Sequence, residues 1–330
     1  MGEAVELVEV RRGDMVECRH RGHAVIMRAG AIEAAWGDPG AVIFPRSSCK
    51  MLQALPLVES GAADAFGLTG EQLALACASH SGAAIHTGRV RDWIAGLGLT
   101  DDDFRCGAHE PSDRAARDAL IRAGEAPCQH HNNCSGKHAG FLTLNRHLGA
   151  GPDYVDPGHP VQRAARAAFE EVTGESSPGF GIDGCSAPNF ATSLAGLARA
   201  MADFATAGTR GGVRAAAQAR LVAAMVAHPD LVAGEGRACT ALMRACAGRA
   251  ALKVGADGVY IAIIPERQTG IALKIEDGSI RAAEAVVAAL LVRLGVLAPD
   301  DPAARRYMNA QLRNWRGLTV GELRVAPALA

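Results

Sequence analysis

The sequence predicts an α+β fold: an antiparallel sheet from N- and C-terminal strands, packed with a large central helical block. Three observations predict it. Short β-type runs cluster at about 4–45 and 251–325, while the apolar spacing over about 46–250 is mostly helical. Sequential strand–helix–strand units are missing, which argues against a doubly wound parallel sheet and leaves the terminal strands to pair with one another. With 330 residues, 49% of them hydrophobic, the chain has enough apolar material for a substantial core and reads as one domain over 1–330.

Taken in order, AVELVEV (4–10) and HAVIMR (23–28) alternate or run apolar around a polar turn at 11–14 and predict the first strands. AVIFP (41–45) leads into SSCKMLQALPLVESG, whose Met51, Leu52, Leu55 and Val58 have helical spacing, with a kink or early end expected at Pro56. Helices are predicted over 71–79, 86–97, 112–123, 137–148, 159–173, 188–206 and 212–227. Asp113 supplies a start signal, Gly124 and Gly149 supply stops, and Pro160 suits a first helical turn. Three apolar runs within 251–278, separated by G-A-D-G and E-R-Q-T-G, predict a meander. A helix over about 280–295 and a short strand over 318–325 complete the pattern.

The formal net charge of −1 gives no reason to expect nucleic acid or an anionic membrane as partner. No window resembles a membrane span of ~20 apolar residues. The opening MGEAVELVEVRRGDMVE carries acids from position 3, unlike the basic start of an export signal, so a cytoplasmic protein is expected. Nine cysteines, an odd number at irregular spacing, suit reduced thiols better than a disulfide framework. One number is unusual. Of 34 basic residues only four are lysines, at 50, 137, 253 and 274, so each lysine asks why an amine was needed.

Six segments carry candidate chemistry. In PRSSCK, Ser47 and Lys50 are three apart and share a helix face, so the amine can serve as base for the hydroxyl. Bringing such a lysine from about 10.4 to near 7 costs about 4–5 kcal/mol, which demands burial or nearby positive charge such as Arg46. An N-cap serine beside a solvated lysine has the same spelling. In ACASHSG, Ser79 is a second hydroxyl and His80 an acid/base or hydrogen-bonding candidate at a helix end. HHNNCSGKH crowds polar groups before an apolar helix, and Cys134 with His138 at i, i+4 is a usable metal pair. GIDGCSAP sets Asp183 and Cys185 between glycines, where Asp183 can orient a lysine or histidine and Cys185 can be a remote soft ligand. GEGRACT offers Arg237 as a carboxylate clamp, with Cys239 beside it as a reactive thiol. In LKVGADG, Lys253 on an apolar strand is an edge gatekeeper or a pocket residue, whereas Lys274 in ALKIEDG reads as an edge or a solvated lysine.

Together and in this order, PRSSCK, ACASH, HNNCSGKH, GIDGCSAP, GEGRACT and LKVGADG resemble the rhizobial-type, class 3 (asparaginase II-like) L-asparaginases, over about residues 5–325. The resemblance implies a fold similar to glutaminases and serine β-lactamases, and a homodimer. It implies two Ser–Lys tandems, Ser47 with Lys50 and Ser79 with Lys253, and zinc held by Cys134, Lys137 and Cys185. It sets Asp183 and His138 beside the site and Cys239 near it, with Arg46, His80 and Arg237 as substrate-side candidates. The expected reaction is hydrolysis of L-asparagine to L-aspartate and ammonia. A related glutaminase or amidase, a zinc-dependent amidohydrolase, and an amino-acid-binding module without turnover are the alternatives. Arginine in place of Lys50, Lys137 or Lys253 is expected to damage function, and Lys274→Arg to be nearly silent.

Overall fold

A computed structural model describes residues 2–329, which cluster into two compact units. The first comprises the described residues up to Ser48, Thr192–Thr206 and those from Ala241 onward; the second comprises Cys49–Ala191 and Ala207–Thr240.

The first unit is organised by one eight-stranded antiparallel sheet. Its order is Gln311–Arg313, Thr319–Val325, Val5–Arg12, Met15–Arg28, Thr269–Ile275, Val259–Ile264 and Ala251–Val254; Ala31–Trp36 pairs along Met15–Arg28. The expected pairing of N- and C-terminal strands is present, with Val8 opposite Val325 and Ile26 opposite Ile271. The strand Met15–Arg28 is longer than the predicted 23–28 and serves three neighbours, Val5–Arg12, Ala31–Trp36 and Thr269–Ile275. Every residue of Val259–Ile264 is buried, which explains its unbroken apolar spelling.

The helix Leu194–Ala205 lies with this sheet, not with the rest of the expected helical block. It approaches the strand Thr269–Ile275 so closely that a Cβ on Gly270 would stand 2.2 Å from the Ala202 nitrogen and 2.5 Å from the Ala198 oxygen. The predicted start at 188 is wrong: Pro188–Phe190 is a strand paired with Phe180–Ile182, and Ser193 is the N-cap. Ser193 Oγ accepts the Gly196 N–H, which settles where the helix begins. The helix Ile280–Arg293 contacts the strands Thr269–Ile275, Val259–Ile264, Val5–Arg12 and Thr319–Val325 of the same sheet.

The second unit is mainly helical: Gly70–Ala76, Ala84–Gly96, Arg114–Ala123, Ser135–Leu148, Pro160–Thr173 and Val213–Ala227 are its longer helices. The expected signals act where the sequence puts them. Asp113 accepts the Ala116 N–H as N-cap, Gly124 (φ +66°) and Gly149 (φ +60°) end their helices left-handed, and Pro160 opens its helix. Around Pro56 the helix breaks into Lys50–Gln53 and Leu55–Glu59. None of the nine cysteines is in a disulfide among the described residues, and no described helix is long and apolar enough to cross a membrane.

Gly270→Ala should lower unfolding stability by about 2–4 kcal/mol in urea titration, because its Cβ meets helix backbone and not a flexible side-chain end. Gly88→Ala, on a helix with nothing within 4 Å of the added carbon, should be neutral or slightly stabilising.

Candidate active site

Five expected site residues meet inside the second unit. Lys50 follows the 3-10 turn Arg46–Cys49 and opens the helix Lys50–Gln53. It is only 1% exposed, and its Nζ donates to Ser79 Oγ at 3.0 Å, to Cys134 Sγ at 3.1 Å and to the Ala78 carbonyl oxygen. A few residues away, Lys137 Nζ, 3% exposed, donates to Cys185 Sγ at 3.0 Å.

Local sequence explains the convergence. The helix Gly70–Ala76, begun by the Thr69/Gln72 capping box, stops before the predicted 79. Beyond it the Ser79 N–H donates to the Val232 oxygen at 2.9 Å and the His80 N–H to the Asn133 oxygen at 3.1 Å. Ser79 is thus held on non-helical backbone between two loops. Gly136 then lets the helix Ser135–Leu148 come close; a Cβ there would lie 2.3 Å from the Leu75 oxygen. Asn132 braces the start of that helix: its Oδ1 accepts the Cys134 N–H, and its Nδ2 donates to the Cys106 and Gly107 oxygens. Cys185 rides the turn of the hairpin Phe180–Ile182/Pro188–Phe190, closed by the Asp183 N–H to the Ala187 oxygen. Ser186 takes φ +69° in that turn.

The charges of the cluster are interdependent. A hydrogen bond from Cys134 lowers the Cys185 pKa well below the ordinary thiol value despite burial, and Lys137 and His138 act in the same direction. The same sulfur–sulfur bond, with burial, raises Cys134. Negative charge is thus favoured on Cys185, and Cys134 Sγ donates to Asn133 Oδ1 at 2.9 Å. Burial works against the Lys137 ammonium, but the negative sulfur beside it prevails and raises its pKa. Two sulfurs and a primary amine thus converge in a buried place. They form a soft donor set that fits zinc once the amine releases its proton.

The histidines are held by hydrogen bonds and burial. His80 Nε2 lies 2.9 Å from Ser135 Oγ and its Nδ1 accepts the Gly82 N–H at 3.1 Å; Ser135 Oγ donates to the His130 oxygen. Both His80 nitrogens are committed, and the ring stacks on His86 at 4.9 Å. Burial, followed by the charge of His86, lowers the His80 pKa well below the usual imidazole value, and burial also lowers His86. His130 pairs with Asp101 at 2.6 Å, and His131 Nδ1 accepts the Cys128 N–H, so these two organise the turn Gln129–His131. Asp101, Cys128 and His130 place ligand atoms within 4.8 Å of one another, but both Asp101 oxygens already accept backbone N–H groups of that turn. His138 is buried and held neutral, its pKa brought down to about 4 by burial against the opposing pull of Cys185.

Arg237 is half-buried in the glycine-bearing loop that continues from Val232, and Cys239 beyond it is buried. Thr240 ties the loop down by donating to the Pro229 and Gly234 oxygens.

The first unit holds the remaining expected residues. Ser47 lies half-buried in the turn Arg46–Cys49, and Arg46, left-handed at φ +54°, pairs with the Asp257 carboxylate. Lys253 is wholly buried on the strand Ala251–Val254 and donates to the Val254 oxygen at 2.8 Å. Gly255 brings this strand end against the Pro45–Ser48 turn, where a Cβ would lie 2.6 Å from the Pro45 oxygen. Lys274 is not the solvated lysine expected. It is half-buried, burial lowers its pKa, and its ammonium donates to the Asp257 oxygen of the same turn that Arg46 braces.

The profile of the family described as L-asparaginase II matches residues 8–325. The chain belongs to the L-asparaginase II family. Membership places it among amidohydrolases and implies a small-molecule substrate. No curated protein matches it in sequence. Among solved structures it is similar to Mglu in its native form, at 14% identity and a TM-score of 0.43, covering 86% of this chain and 66% of that one. It thus spans about two thirds of the length of Mglu. A β-lactamase from Mycobacterium bovis gives 15% identity and a TM-score of 0.47, covering 82% and 94%. A class C β-lactamase from Rhodobacter sphaeroides gives 15% and 0.39, covering 79% and 91%. None of these likenesses is close enough to carry an argument about chemistry.

The buried neutral histidines give stability a pH dependence. His80 and His86 titrate below the ordinary imidazole value when folded, so acid protonates the unfolded chain first. Their stabilisation is present above about pH 6.5 and declines as pH falls, by up to about 1.4 kcal/mol per pH unit for each. Urea midpoints measured from pH 7 to 5 should fall, and His86→Gln should flatten the slope by about one proton.

Proposed function

We propose that this protein is an L-asparaginase that hydrolyses the side-chain amide of free L-asparagine to L-aspartate and ammonia. The observation that carries this reading is the buried Lys50 amine 3.0 Å from a serine hydroxyl, within a chain matched to the family over 8–325. In the reaction Ser47 attacks the amide carbon, with Lys50 taking its proton. The C–N bond then breaks, ammonia leaves with the proton returned to it, and water cleaves the resulting ester to release aspartate and restore the hydroxyl. Ser79 and Lys253 relay protons. A second reading, with Ser79 as the nucleophile, is favoured by its 3.0 Å bond to Lys50.

Cys134, Lys137 and Cys185 are the residues that would hold zinc. When bound, the ion would supply positive charge and order the wall of the substrate site. This mixed set is not the usual ligand set for activating water. Asp183 helps keep Lys137 in place through its charge. His80 and Arg46 brace the segments that carry the serines, while Arg237 and Cys239 belong to the substrate side. The protein acts as a homodimer in the cytoplasm.

Ammonia release should be faster from L-asparagine than from L-glutamine at equal concentration; the reverse order would make it a glutaminase. Ser47→Ala and Lys50→Ala should each lower kcat at least ~1,000-fold. Trapping the acyl-enzyme and locating it by peptide mass spectrometry decides between the serines: an adduct on Ser79 and none on Ser47 would reverse their roles. A zinc hydrolase predicts instead that Ser47→Ala keeps most activity while chelation abolishes it.

Metal analysis of protein purified without chelator should find about one zinc per chain. Cys185→Ala should bring it close to none. Full occupancy in that variant would remove these residues as the zinc site.

A further inference from the structure

Ser47 lies between two neighbours whose backbone is fixed. On one side Ser48 is wholly buried, and both its N–H, at 3.2 Å, and its Oγ, at 2.7 Å, donate to the Pro45 oxygen. On the other side Arg46 has φ +54°, a backbone that a residue with a Cβ keeps only where its surroundings hold it there. Its guanidinium reaches across 211 residues to the Asp257 carboxylate. Asp257 is exposed at the turn between Ala251–Val254 and Val259–Ile264, and it is left-handed too, at φ +53°. Aspartate is among the few residues that accept that conformation readily, so a carboxylate can be carried where glycine would otherwise serve. Three bonds fix the turn itself. The Gly255 N–H donates to the Val259 oxygen at 2.8 Å, the Ile275 N–H to the Gly258 oxygen at 2.9 Å, and the Lys274 ammonium to the Asp257 oxygen. All of these residues belong to the first unit.

We propose that Asp257, itself held by Lys274, is a positioning residue that keeps Arg46 left-handed and so sets the direction of the Ser47 hydroxyl. The proposal rests on the reading of Ser47 as the nucleophile. With Ser48 anchored, the φ of residue 46 decides how the chain enters Ser47; relaxing it to an ordinary negative value would turn the next peptide plane and carry the serine side chain with it. Misplacing a reacting group by about 1 Å can cost about a hundredfold in rate. The Arg46–Asp257 pair is partly open to solvent, where an ion pair adds little to global stability, so its effect is on orientation. Lys274 contributes as a hydrogen-bond donor and not as an amine that must lose a proton. A guanidinium can do the same, which separates Lys274 from the three buried lysines.

The test combines ammonia release from L-asparagine with amide hydrogen exchange on the full chain. Asp257→Gly removes the carboxylate without straining the backbone. It should lower kcat about tenfold or more and leave KM within about twofold. Amide exchange at Ser47 and Ser48 should become several times faster, while the strand Val259–Ile264 exchanges as in the wild type. Asp257→Asn accepts the same backbone and keeps an oxygen for the guanidinium, so it should recover most of kcat. Arg46→Gly supplies a residue that takes positive φ unaided, so adding Asp257→Gly to it should cost little more. Losses that multiply instead would show that Asp257 does not act through Arg46, and the proposal fails. Lys274→Met should lower kcat and Lys274→Arg should restore it; equal losses in both remove Lys274 from the chain of contacts. Unchanged exchange at Ser47 and Ser48 in Asp257→Gly overturns the bracing role. So does a rise in KM at constant kcat, which would assign Arg46 to the substrate. Faster exchange at Ser47 and Ser48 with full kcat sinks the nucleophile reading of Ser47 and leaves the bracing standing.

Discussion

A buried amine must be given partners, and that constraint governs the candidate site. Lys50, Lys137 and Lys253 are each almost wholly withdrawn from water. An ammonium in that position is strongly destabilising unless oxygens or sulfurs replace its hydration shell. The second unit meets the demand through local backbone choices. The helix Gly70–Ala76 stops early, so the Ala78 oxygen and the Ser79 hydroxyl turn to Lys50. Gly136 has no Cβ, so the next helix comes near enough to bring Cys134 and Lys137 to the same place. In the first unit Lys253 uses the oxygen of its neighbour Val254.

The sulfur pair and the histidines follow from the same low-dielectric setting. Neither sulfur can be considered alone, because the hydrogen bond between them pushes one pKa up and the other down. Negative charge on Cys185 in turn raises the Lys137 pKa against the opposing effect of burial. The imidazoles around it are neutral because they are buried, and each neutral ring has a proton to place. Ser135 and Gly82 satisfy His80, while Tyr154 meets His138. Wholly buried rings with determined partners act as rigid parts of the scaffold.

Much of this was legible in the order of residues, and the misses have physical causes. The caps at Asp113, Gly124 and Gly149 and the start at Pro160 depend on neighbours a few residues away, and they act as read. The segment 188–193 was misread as helix because Pro188 suits a helix start as well as a short hairpin, and only the pairing with 180–182 separates the two. The crowding of His130 and His131 with Asn132 and Cys134 says nothing of what they bind. Their actual partners, Asp101 and Cys128, follow from how the turns fold together. Lys274 looked ordinary because nothing nearby in sequence shows that it reaches the turn at Asp257. Tyr154 gave no signal at all: an isolated aromatic between helices has no spacing to read.

By itself the sequence determined which residues can lose a proton, bind a soft metal or end a helix, since those are properties of side chains and their immediate neighbours. The split of four lysines to 30 arginines already separated amines from mere surface cations, and three of the four are buried amines in the candidate chemistry. Tertiary structure alone decided their partners. That Lys50 meets Ser79 across 29 residues, Lys137 meets Cys185 across 48, and His138 meets Tyr154 across 16 follows from burial, close approach at glycine and the need of every buried polar group for a partner. Those conditions come into being only when distant segments pack, which is why no motif spelled them out.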